Sequence, residues 1–488
     1  MFVDIVSFDV TDADGNKTEY TYHPLYQDTL ASVTDGNKHT TAYTYDDNNN
    51  LTELKDALGR KKTYSYNDND QVTKVIMPVN PALNQDMTFT YQYDLNGELS
   101  KSILPSGIST DYSYTEDDQV DTVQVTNKTG DVVTSTHYQY DDLGNVSQVI
   151  QDDQVLKTYG YTDEANLLKT YGLKSFSQSY KYDDQERLTE RKTAHDNAFT
   201  VKEQTNYKKD SDDVDHIQYG INDEVLHDYQ YDQDTVENQN TITLNNDLLK
   251  QVVKFNDANL LASLTYTTKA QQPFEIGYDY TNGGNILKET IQGKATTYEY
   301  DGNNQLTKET FSNGDVNSYQ YDEVGNRKAA HVNGKDFTFS YNDANQIEKK
   351  NDTAYQYDAD GNLLQDEHYQ YTYNEAQRLT SVQTLKGDVV ASYTYDENGL
   401  RLTKTVGDTT HEYFYNNEVL DMEVVKKNDE VTQYRYYEWN GYTPLGMIVK
   451  AKKDTGDFET KAYQYITNQR GDVINIRDGE DQEVGSYS

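Results

Sequence analysis

The chain has 488 residues, and its 83 Asp and Glu against 43 Lys and Arg give a formal net charge of −40. This charge argues against nucleic-acid binding, which needs a basic surface, and opposes docking on anionic membranes. There is no cysteine, so disulfides, thiolate metal sites and cysteine nucleophiles are excluded. No window reaches the ~20 apolar residues of a membrane span. Residues 1–6 lack the basic start of a signal peptide, so we predict that none is present.

Tyrosine is the unusual component of this sequence. The hydrophobic share is 34%, yet the chain contains 46 Tyr and 28 Gly, and only 6 Pro. Disordered chains are poor in aromatic residues, so this composition indicates a folded protein. Tyrosine can bury its ring while its hydroxyl stays hydrogen-bonded or solvated. This suits a thin fold in which one face of the sheet is never fully dry.

One sequence unit recurs along the chain: Tyr-x-Tyr-Asp, a short polar stretch, Gly or Asn, and then an apolar residue. It begins in clear form at Tyr43-Thr-Tyr45-Asp46 and returns at Tyr138-Gln-Tyr140-Asp141 and Tyr355-Gln-Tyr357-Asp358. The second aromatic residue falls at positions 22, 45, 66, 93, 114, 140, 161, 182, 207, 231, 255, 280, 300, 321, 341, 357, 373, 395 and 415. The copy near Tyr207 is degenerate, and Phe255 replaces Tyr in its copy. We therefore predict one continuous repeat architecture rather than separate compact domains.

The unit has the features of a β-hairpin. Two tyrosines separated by one residue lie on the same face of a strand, and the following Asp can accept hydrogen bonds from backbone N–H groups two residues on. Four places after the second aromatic residue stands a residue type that tolerates positive φ. These residues are Asn49, Gly97, Gly144, Gly284, Asn304, Gly325, Asn345, Gly361 and Gly399.

A second turn signal closes most units and completes the hairpin pattern. It occurs at Asp35-Gly36-Asn37, Leu58-Gly59, Ser106-Gly107, Asn313-Gly314-Asp315, Asn333-Gly334 and Lys386-Gly387. Two turns in each unit predict about 38 strands that pair edge to edge in an all-β fold, a long, curved and spiralling antiparallel sheet. Such a sheet forms either a hollow shell or a filled solenoid, and the low hydrophobic share favours the hollow form.

These repeats resemble the YD-repeat, or Rhs, family, over nearly the whole chain. Residues 355–488 resemble the last repeats and the repeat-associated core of that family, and residues 1–354 the preceding hairpin array. The core resemblance rests on Tyr395-Asp396-Glu-Asn-Gly399-Leu-Arg401, Tyr413-Phe-Tyr415-Asn416, Gly441-Tyr442-Thr-Pro444-Leu445 and Gly471-Asp472-Val473-Ile474. The turn sequences look closest to wall-associated toxin proteins of Gram-positive bacteria.

The resemblance implies a function for this chain. It implies a non-catalytic shell segment of a secreted or cell-wall-associated toxin, which encloses a C-terminal toxin and helps to deliver it in contact-dependent competition. The partner is then the protein's own toxin domain, and the chain stops at Gly485-Ser-Tyr487-Ser488, before that domain should begin. There is no Asp-Pro dipeptide of the kind that some relatives use for self-cleavage, so no protease residue is carried over.

Chemical motifs give no stronger alternative, and we predict no catalytic, cofactor-binding or metal-binding residue. The nine His have no metal-site spacing, and the nearest calcium-like turns, at Asp12 and Asp358, lack the EF-hand pattern. The acidic pairs, such as Asp46-Asp47, Asp141-Asp142 and Asp183-Asp184, are interpreted as solvated charge. Arg470-Gly471-Asp472 is interpreted as a turn and the aromatic cluster around Trp439 as packing.

Two other functions stay open. The chain could be an extracellular adhesin module that binds carbohydrate through exposed tyrosines, since aromatic faces suit sugars. A carbohydrate-active enzyme rests on the abundance of acidic residues alone.

Overall fold

The computed structural model describes residues 7–23, 29–80, 85–268 and 273–486. Residues 1–6, on which the signal-peptide prediction rests, and Tyr487-Ser488 at the end lie outside these ranges. The described residues contain 45 β-strands and no α-helix, which confirms the all-β class. No helix long and apolar enough to cross a membrane therefore occurs in this part of the chain.

The first strands run through the clearest repeats. They are β1 Ser7–Thr11, β2 Lys17–Tyr22, β3 Leu30–Thr34, β4 Thr40–Tyr45, β5 Leu51–Lys55, β6 Lys61–Tyr66, β7 Val72–Asn80, β8 Gln85–Tyr93, β9 Leu99–Ile103, β10 Ser109–Tyr114 and β11 Val120–Thr126. A second group follows: β12 Val132–Tyr140, β13 Val146–Gln151, β14 Gln154–Tyr161, β15 Leu168–Leu173, β16 Phe176–Tyr182, β17 Leu188–His195, β18 Phe199–Tyr207, β19 Val214–Ile221, β20 Glu224–Asp234, β21 Gln239–Leu244, β22 Leu249–Phe255, β23 Leu261–Thr268 and β24 Phe274–Tyr280.

The third group is β25 Ile286–Ile291, β26 Lys294–Tyr300, β27 Leu306–Thr310, β28 Val316–Tyr321, β29 Arg327–Val332, β30 Lys335–Tyr341, β31 Ile347–Lys350, β32 Thr353–Ala354, β33 Gln356–Tyr357, β34 Leu363–Gln365, β35 Tyr369–Tyr373 and β36 Leu379–Thr384. The last group is β37 Val389–Tyr395, β38 Arg401–Val406, β39 Thr409–Asn416, β40 Val419–Lys427, β41 Glu430–Asn440, β42 Thr443–Lys452, β43 Phe458–Thr467, β44 Val473–Asp478 and β45 Glu483–Ser486. The strands exceed the predicted 38 mainly because β40–β45 follow Tyr415, the last repeat position identified in the sequence.

The chain divides into two compact units, and each is built from runs of consecutively paired antiparallel strands. Unit 1 comprises Met1–Ser135, Asp279–Glu289 and Lys294–Val389, and unit 2 comprises Thr136–Tyr278, Thr290–Gly293 and Val390–Ser488. In unit 1, pairing proceeds strand by strand from β1 to β11. In unit 2 it proceeds from β12 to β24 and from β37 to β45.

The predicted turn chemistry is confirmed in atomic detail. The Asp46 carboxylate accepts hydrogen bonds from the backbone N–H groups of Asn48 (3.0 Å) and Asn50 (2.8 Å). Asn49 has a φ of 70°, and every other residue predicted for that place also has a positive φ. The residue types that end each strand therefore select a tight turn whose last position is left-handed.

A register shift at the second tyrosine was not predicted. In hairpin after hairpin the pairing slips by one residue immediately before it, as between Thr44 and Tyr45 or between Ser113 and Tyr114. Such a bulge redirects the side chain that follows it. The tyrosine hydroxyl then donates a hydrogen bond to a backbone carbonyl in the preceding hairpin. These pairs are Tyr66–Leu51, Tyr93–Val72, Tyr114–Leu99, Tyr161–Val146, Tyr182–Leu168, Tyr207–Leu188, Tyr300–Ile286, Tyr321–Leu306, Tyr341–Arg327, Tyr357–Ile347 and Tyr415–Arg401, at 2.8–3.0 Å.

This tyrosine ladder leads to a prediction for single positions. Tyr114→Phe is expected to lower the free energy of unfolding by about 1 kcal/mol, because the Leu99 carbonyl loses its donor at 2.9 Å. Tyr112→Phe is the matched control, since the Tyr112 hydroxyl forms no hydrogen bond within the described residues. Urea denaturation of both variants measures the difference. Equal stability of the two would contradict the ladder's role.

The first run of unit 1 contacts a later part of the same unit through turn residues. The Asp14 carboxylate accepts hydrogen bonds from the Thr281 hydroxyl (2.7 Å) and the Gly283 N–H (2.9 Å). In the next turn Lys38 has the positive φ, at 73°, whereas Gly36 lies so close to Gly302 that a Cβ on Gly36 would be 1.8 Å from the carbonyl oxygen. Turn residues therefore also join hairpins that are distant in the sequence.

The packed core of the described residues lies in unit 2. Large side chains with under 2% exposure include Tyr436, Phe176, Phe199, Leu244, Ile276, Met422 and Ile448, all in this unit. The Phe176 ring stacks on Phe414 with centroids 4.9 Å apart and 8° between planes. Strands of unit 1 are instead mostly half-buried, as in β3, β5 and β9. The chain with its 34% hydrophobic share therefore contains two units that differ in packing, a well-packed unit 2 and a mostly half-buried unit 1.

Candidate functional site

A cluster of buried ionisable groups joins the two runs of unit 2. Arg191 on β17 donates to the Glu203 carboxylate on β18 through Nε (3.0 Å) and Nη2 (2.6 Å). Its Nη1 donates to Asp421 on β40 at 2.5 Å, and Gln178 Nε2 donates to the same oxygen at 2.6 Å. One guanidinium therefore connects strands whose residues are separated by 230 positions in the sequence. We call this set the Arg191 cluster.

Burial controls the protonation of the Arg191 cluster. Burial raises the pKa of Asp421 to about 6, although the Arg191 charge acts in the opposite direction. Burial also disfavours the charge of Arg191, but Tyr436 and the two carboxylates raise its pKa well above the usual range. Arg191 thus stays cationic, whereas burial shifts the titration of Asp421 up to about pH 6.

Asp421 should make stability depend on pH. Its pKa is higher in the folded chain than the ~3.9 of an unfolded Asp, so its contribution is fully present below about pH 4 and is lost as pH rises through 6. Asp421→Asn removes this titration. We expect the unfolding free energy of the parent protein to fall relative to the Asn variant by a few kcal/mol between pH 4 and pH 7. Urea denaturation of both proteins across that range tests this, and a difference that is constant with pH contradicts it.

A second buried group lies on β20, β41 and β42. The Glu438 Oε2 atom is 2.6 Å from His227 Nδ1 and accepts a hydrogen bond from the Tyr229 hydroxyl, also at 2.6 Å. His227 is 1% exposed and Glu438 is fully buried. Burial, reinforced by Glu438, raises the pKa of Tyr229 well above its usual range, so its hydroxyl is a donor. Gly446 packs against this group, and a side chain at position 446 would overlap Glu438 and Tyr229.

Gly446→Ala is therefore expected to destabilise the protein by about 1–3 kcal/mol. The new Cβ would lie 2.4 Å from the Tyr463 carbonyl oxygen and 2.8 Å from both Glu438 Oε2 and the Tyr229 hydroxyl. The matched control is Gly277→Ala on β24, where a Cβ meets nothing within 4 Å. Thermal melting of the two variants side by side measures the effect. A Gly446 variant as stable as the Gly277 variant would show that the site can relax.

The third buried group ties β14 to the turn between β37 and β38. Lys157 Nζ is 2.7 Å from Asp396 Oδ2 and 2.7 Å from Glu397 Oε1, and all three side chains are at most 5% exposed.

In each of the three buried groups, the polar atoms named bond one another across the two runs of unit 2. Glycoside hydrolysis needs two carboxyls that flank a substrate in an accessible cleft. The geometry instead suits clamps that fix one run of strands against the other.

Five acidic residues singled out in the sequence lie in turns. Asp12, Asp46, Asp141, Asp183 and Asp358 each accept backbone N–H bonds inside their own turns. The segment 468–472 containing the Arg-Gly-Asp tripeptide is a turn, in which Asn468 accepts from the N–H of Arg470 and Asp472. Trp439 donates to the Leu420 carbonyl at 2.9 Å. No group of three or more potential metal ligands occurs among the described residues.

Sequence reasoning did not find the three buried groups. The partners of Arg191 and Glu438 include residues more than 200 positions away. The one available signal was local: Tyr436-Tyr437-Glu438-Trp439 places a lone acid among aromatic residues.

Tandem hairpins with a tyrosine ladder define a β-hairpin repeat protein. The chain belongs to the Teneurin YD-shell family, whose model matches residues 77–442, and RHS Repeat models match residues 26–61 and 45–79. These matches confirm the resemblance drawn from the repeats.

Two curated relatives match a smaller part of the chain, and a solved structure matches nearly all of it. The tRNA nuclease WapA of Bacillus subtilis (strain 168) is 32% identical over 143 residues, which are 28% of this chain and 6% of that protein. The tRNA3(Ser)-specific nuclease WapA of Bacillus spizizenii gives the same values. The crystal structure of TcdB2-TccC3 without its hypervariable C-terminal region matches with a TM-score of 0.52 and 12% identity over 97% of this chain and 30% of that one. This likeness shows the fold alone, and the chain spans only a minor part of each relative.

Proposed function

We propose that this chain is a non-catalytic wall segment of a shell that encloses a polypeptide toxin. The observation that carries the proposal is the long succession of antiparallel hairpins in both units, together with the YD-shell match over residues 77–442. A wall of paired strands keeps proteases and targets away from whatever it surrounds. The likeness to WapA nucleases supports a toxin as the enclosed polypeptide.

We further propose that residues 1–354 form the hairpin array and residues 355–488 the last repeats and the core next to the toxin. The parent protein is then secreted or wall-associated and acts in contact-dependent competition between bacteria, as in a Gram-positive toxin system. The partner is its own C-terminal toxin domain. The formal charge of −40 would favour a basic cargo such as a nuclease.

A protease-protection experiment tests the enclosure. A protease-sensitive reporter polypeptide is fused after residue 488 in one protein and before residue 1 in a second, and the reporter alone is digested in parallel. We expect the C-terminal fusion to be cleaved far more slowly than the two controls. Small-angle scattering of the unfused chain should show a hollow particle. Equal cleavage of all three reporters, or scattering from a filled particle or a rod, would refute the shell.

A further inference from the structure

One lysine of unit 2 is buried against two acidic residues of a single turn. Lys157 Nζ lies 2.7 Å from Asp396 Oδ2 and 2.7 Å from Glu397 Oε1, and these three side chains are 3–5% exposed. We call these residues the Lys157 triad. Lys101 and Asp111 also lie 2.7 Å apart, but their side chains are 30% and 38% exposed. The triad therefore has the contacts of an ion pair without the water that normally keeps an amine and a carboxyl ionised.

The other oxygen of Asp396 is held by the backbone of its own turn. Asp396 Oδ1 accepts hydrogen bonds from the N–H groups of Asn398 (3.0 Å) and Leu400 (2.8 Å). Oxyanion holes of acyl-transfer sites place such donors ~2.7–3.1 Å from the oxygen that gains negative charge. Asp46 has the same two donors in its turn, so the buried lysine is what distinguishes Asp396. Oδ1 is placed to carry charge, and Oδ2 faces the lysine nitrogen.

The charge of Lys157 depends on the two carboxylates. Burial disfavours its ammonium, whereas hydrogen bonds to Asp396 and Glu397 raise its pKa overall. Transfer of one proton along the Nζ–Oδ2 hydrogen bond replaces a buried ion pair by a neutral amine and a neutral carboxylic acid, which low polarity favours. A neutral lysine amine is a nucleophile, and here it lies directly beside a carboxyl carbon.

We propose that Lys157 and Asp396 form an intramolecular isopeptide bond, with Glu397 as the proton carrier. After the first proton has moved to Oδ2, Nζ attacks Cγ of Asp396 and the charge that develops on Oδ1 is held by the two backbone N–H groups. Glu397 takes a second proton from Nζ and delivers it to Oδ2. The Cγ–Oδ2 bond breaks, and Oδ2 leaves as water with both protons. The third proton stays on the new amide, so atoms and charge balance without a further reactant.

The surroundings and position of the triad fit this reaction. Lys157 and Asp396 both line a cleft of about 250 Å³, which can receive the released water. The bond would join β14 covalently to the turn between β37 and β38, across 239 positions of the sequence. It would form whatever the chain encloses, so it is independent of the shell proposal.

Intact-mass spectrometry of the whole 488-residue chain under denaturing conditions tests the bond. After incubation at neutral pH we expect a mass lower than that of the sequence by one water molecule. Trypsin should release a branched peptide in which residues 129–169, uncut after Lys157, are joined to residues 387–401, and fragmentation should place the branch at Asp396. Lys157→Arg keeps the charge without a nucleophilic amine and should keep the full mass. The matched control Lys101→Arg should lose water like the parent.

Glu397→Gln separates the reaction from the ion pair. Lys157 can still pair with Asp396 in this variant, yet bond formation should be about a hundredfold slower or more, because general acid–base catalysis contributes ~10²–10⁴-fold. The linked fractions of parent and variant are compared at equal times after synthesis. Equal fractions would exclude Glu397 as proton carrier. The bond itself is refuted if the parent keeps its full mass, if water is lost without the branched peptide, if the branch lies at Glu397, or if Lys157→Arg loses water equally.

Discussion

Arg191→Met is expected to lower the free energy of unfolding by ~3–5 kcal/mol, the loss seen when one partner of a buried ion pair is removed. Glu203 and Asp421 would remain buried, with both carboxylates formerly within 2.6 Å of one guanidinium. Gln178 and Tyr436 still donate to them, but neither supplies a charge. Urea is the proper denaturant, because guanidinium would screen the interaction that is being measured.

Two comparisons isolate the cause of this loss. Lys308→Met removes an ion pair with Glu299 whose side chains are 41% and 62% exposed, and should cost under 1 kcal/mol. The triple variant Arg191→Met/Glu203→Leu/Asp421→Leu removes every charge of the Arg191 cluster and should recover most of the stability, because no buried charge is left unpaired. A loss below 1 kcal/mol for Arg191→Met, or no recovery in the triple variant, would contradict the clamp.

The repeat could be predicted from the sequence because its information is local. The acid that follows the second tyrosine caps its own turn, and the residue four places after that tyrosine takes a positive φ, as at Asn49 and Gly97. Both effects depend only on residues within one turn. The bulge before the second tyrosine was not predicted, since it depends on pairing, yet it is what aims the hydroxyl of Tyr114 at Leu99.

The candidate sites could not be predicted because they are made by distant parts of the chain. Lys157 and Asp396 are 239 positions apart, and His227 and Glu438 are 211 apart. In a strand with alternating exposure, a lone charged residue is predicted to face solvent. It becomes buried only when one run of strands packs against the other. Gly446 is a further example that the sequence could not reveal. A side chain is excluded there by contacts with Tyr463, Glu438 and Tyr229.

The difference in packing between the two units gives the second large prediction. Phe176→Ala is expected to cost about 3–5 kcal/mol, since the ring is 1% exposed, stacks on Phe414 and meets the edge of Tyr171. Phe8→Ala is the matched control in unit 1. Phe8 is 48% exposed, although its ring stacks on Tyr20 at 5.3 Å, so its loss should cost about 1 kcal/mol.

A comparison of the urea midpoints of the two phenylalanine variants shows which interactions stabilise each unit. If the Phe176 variant loses far more stability than the Phe8 variant, a filled core stabilises unit 2, whereas turn contacts and tyrosine hydrogen bonds carry more of the stability of unit 1. Equal losses would mean that the tyrosine ladder dominates in both units. The first outcome also explains how a chain with only 34% hydrophobic residues folds, because its apolar side chains are concentrated where two runs of strands face each other.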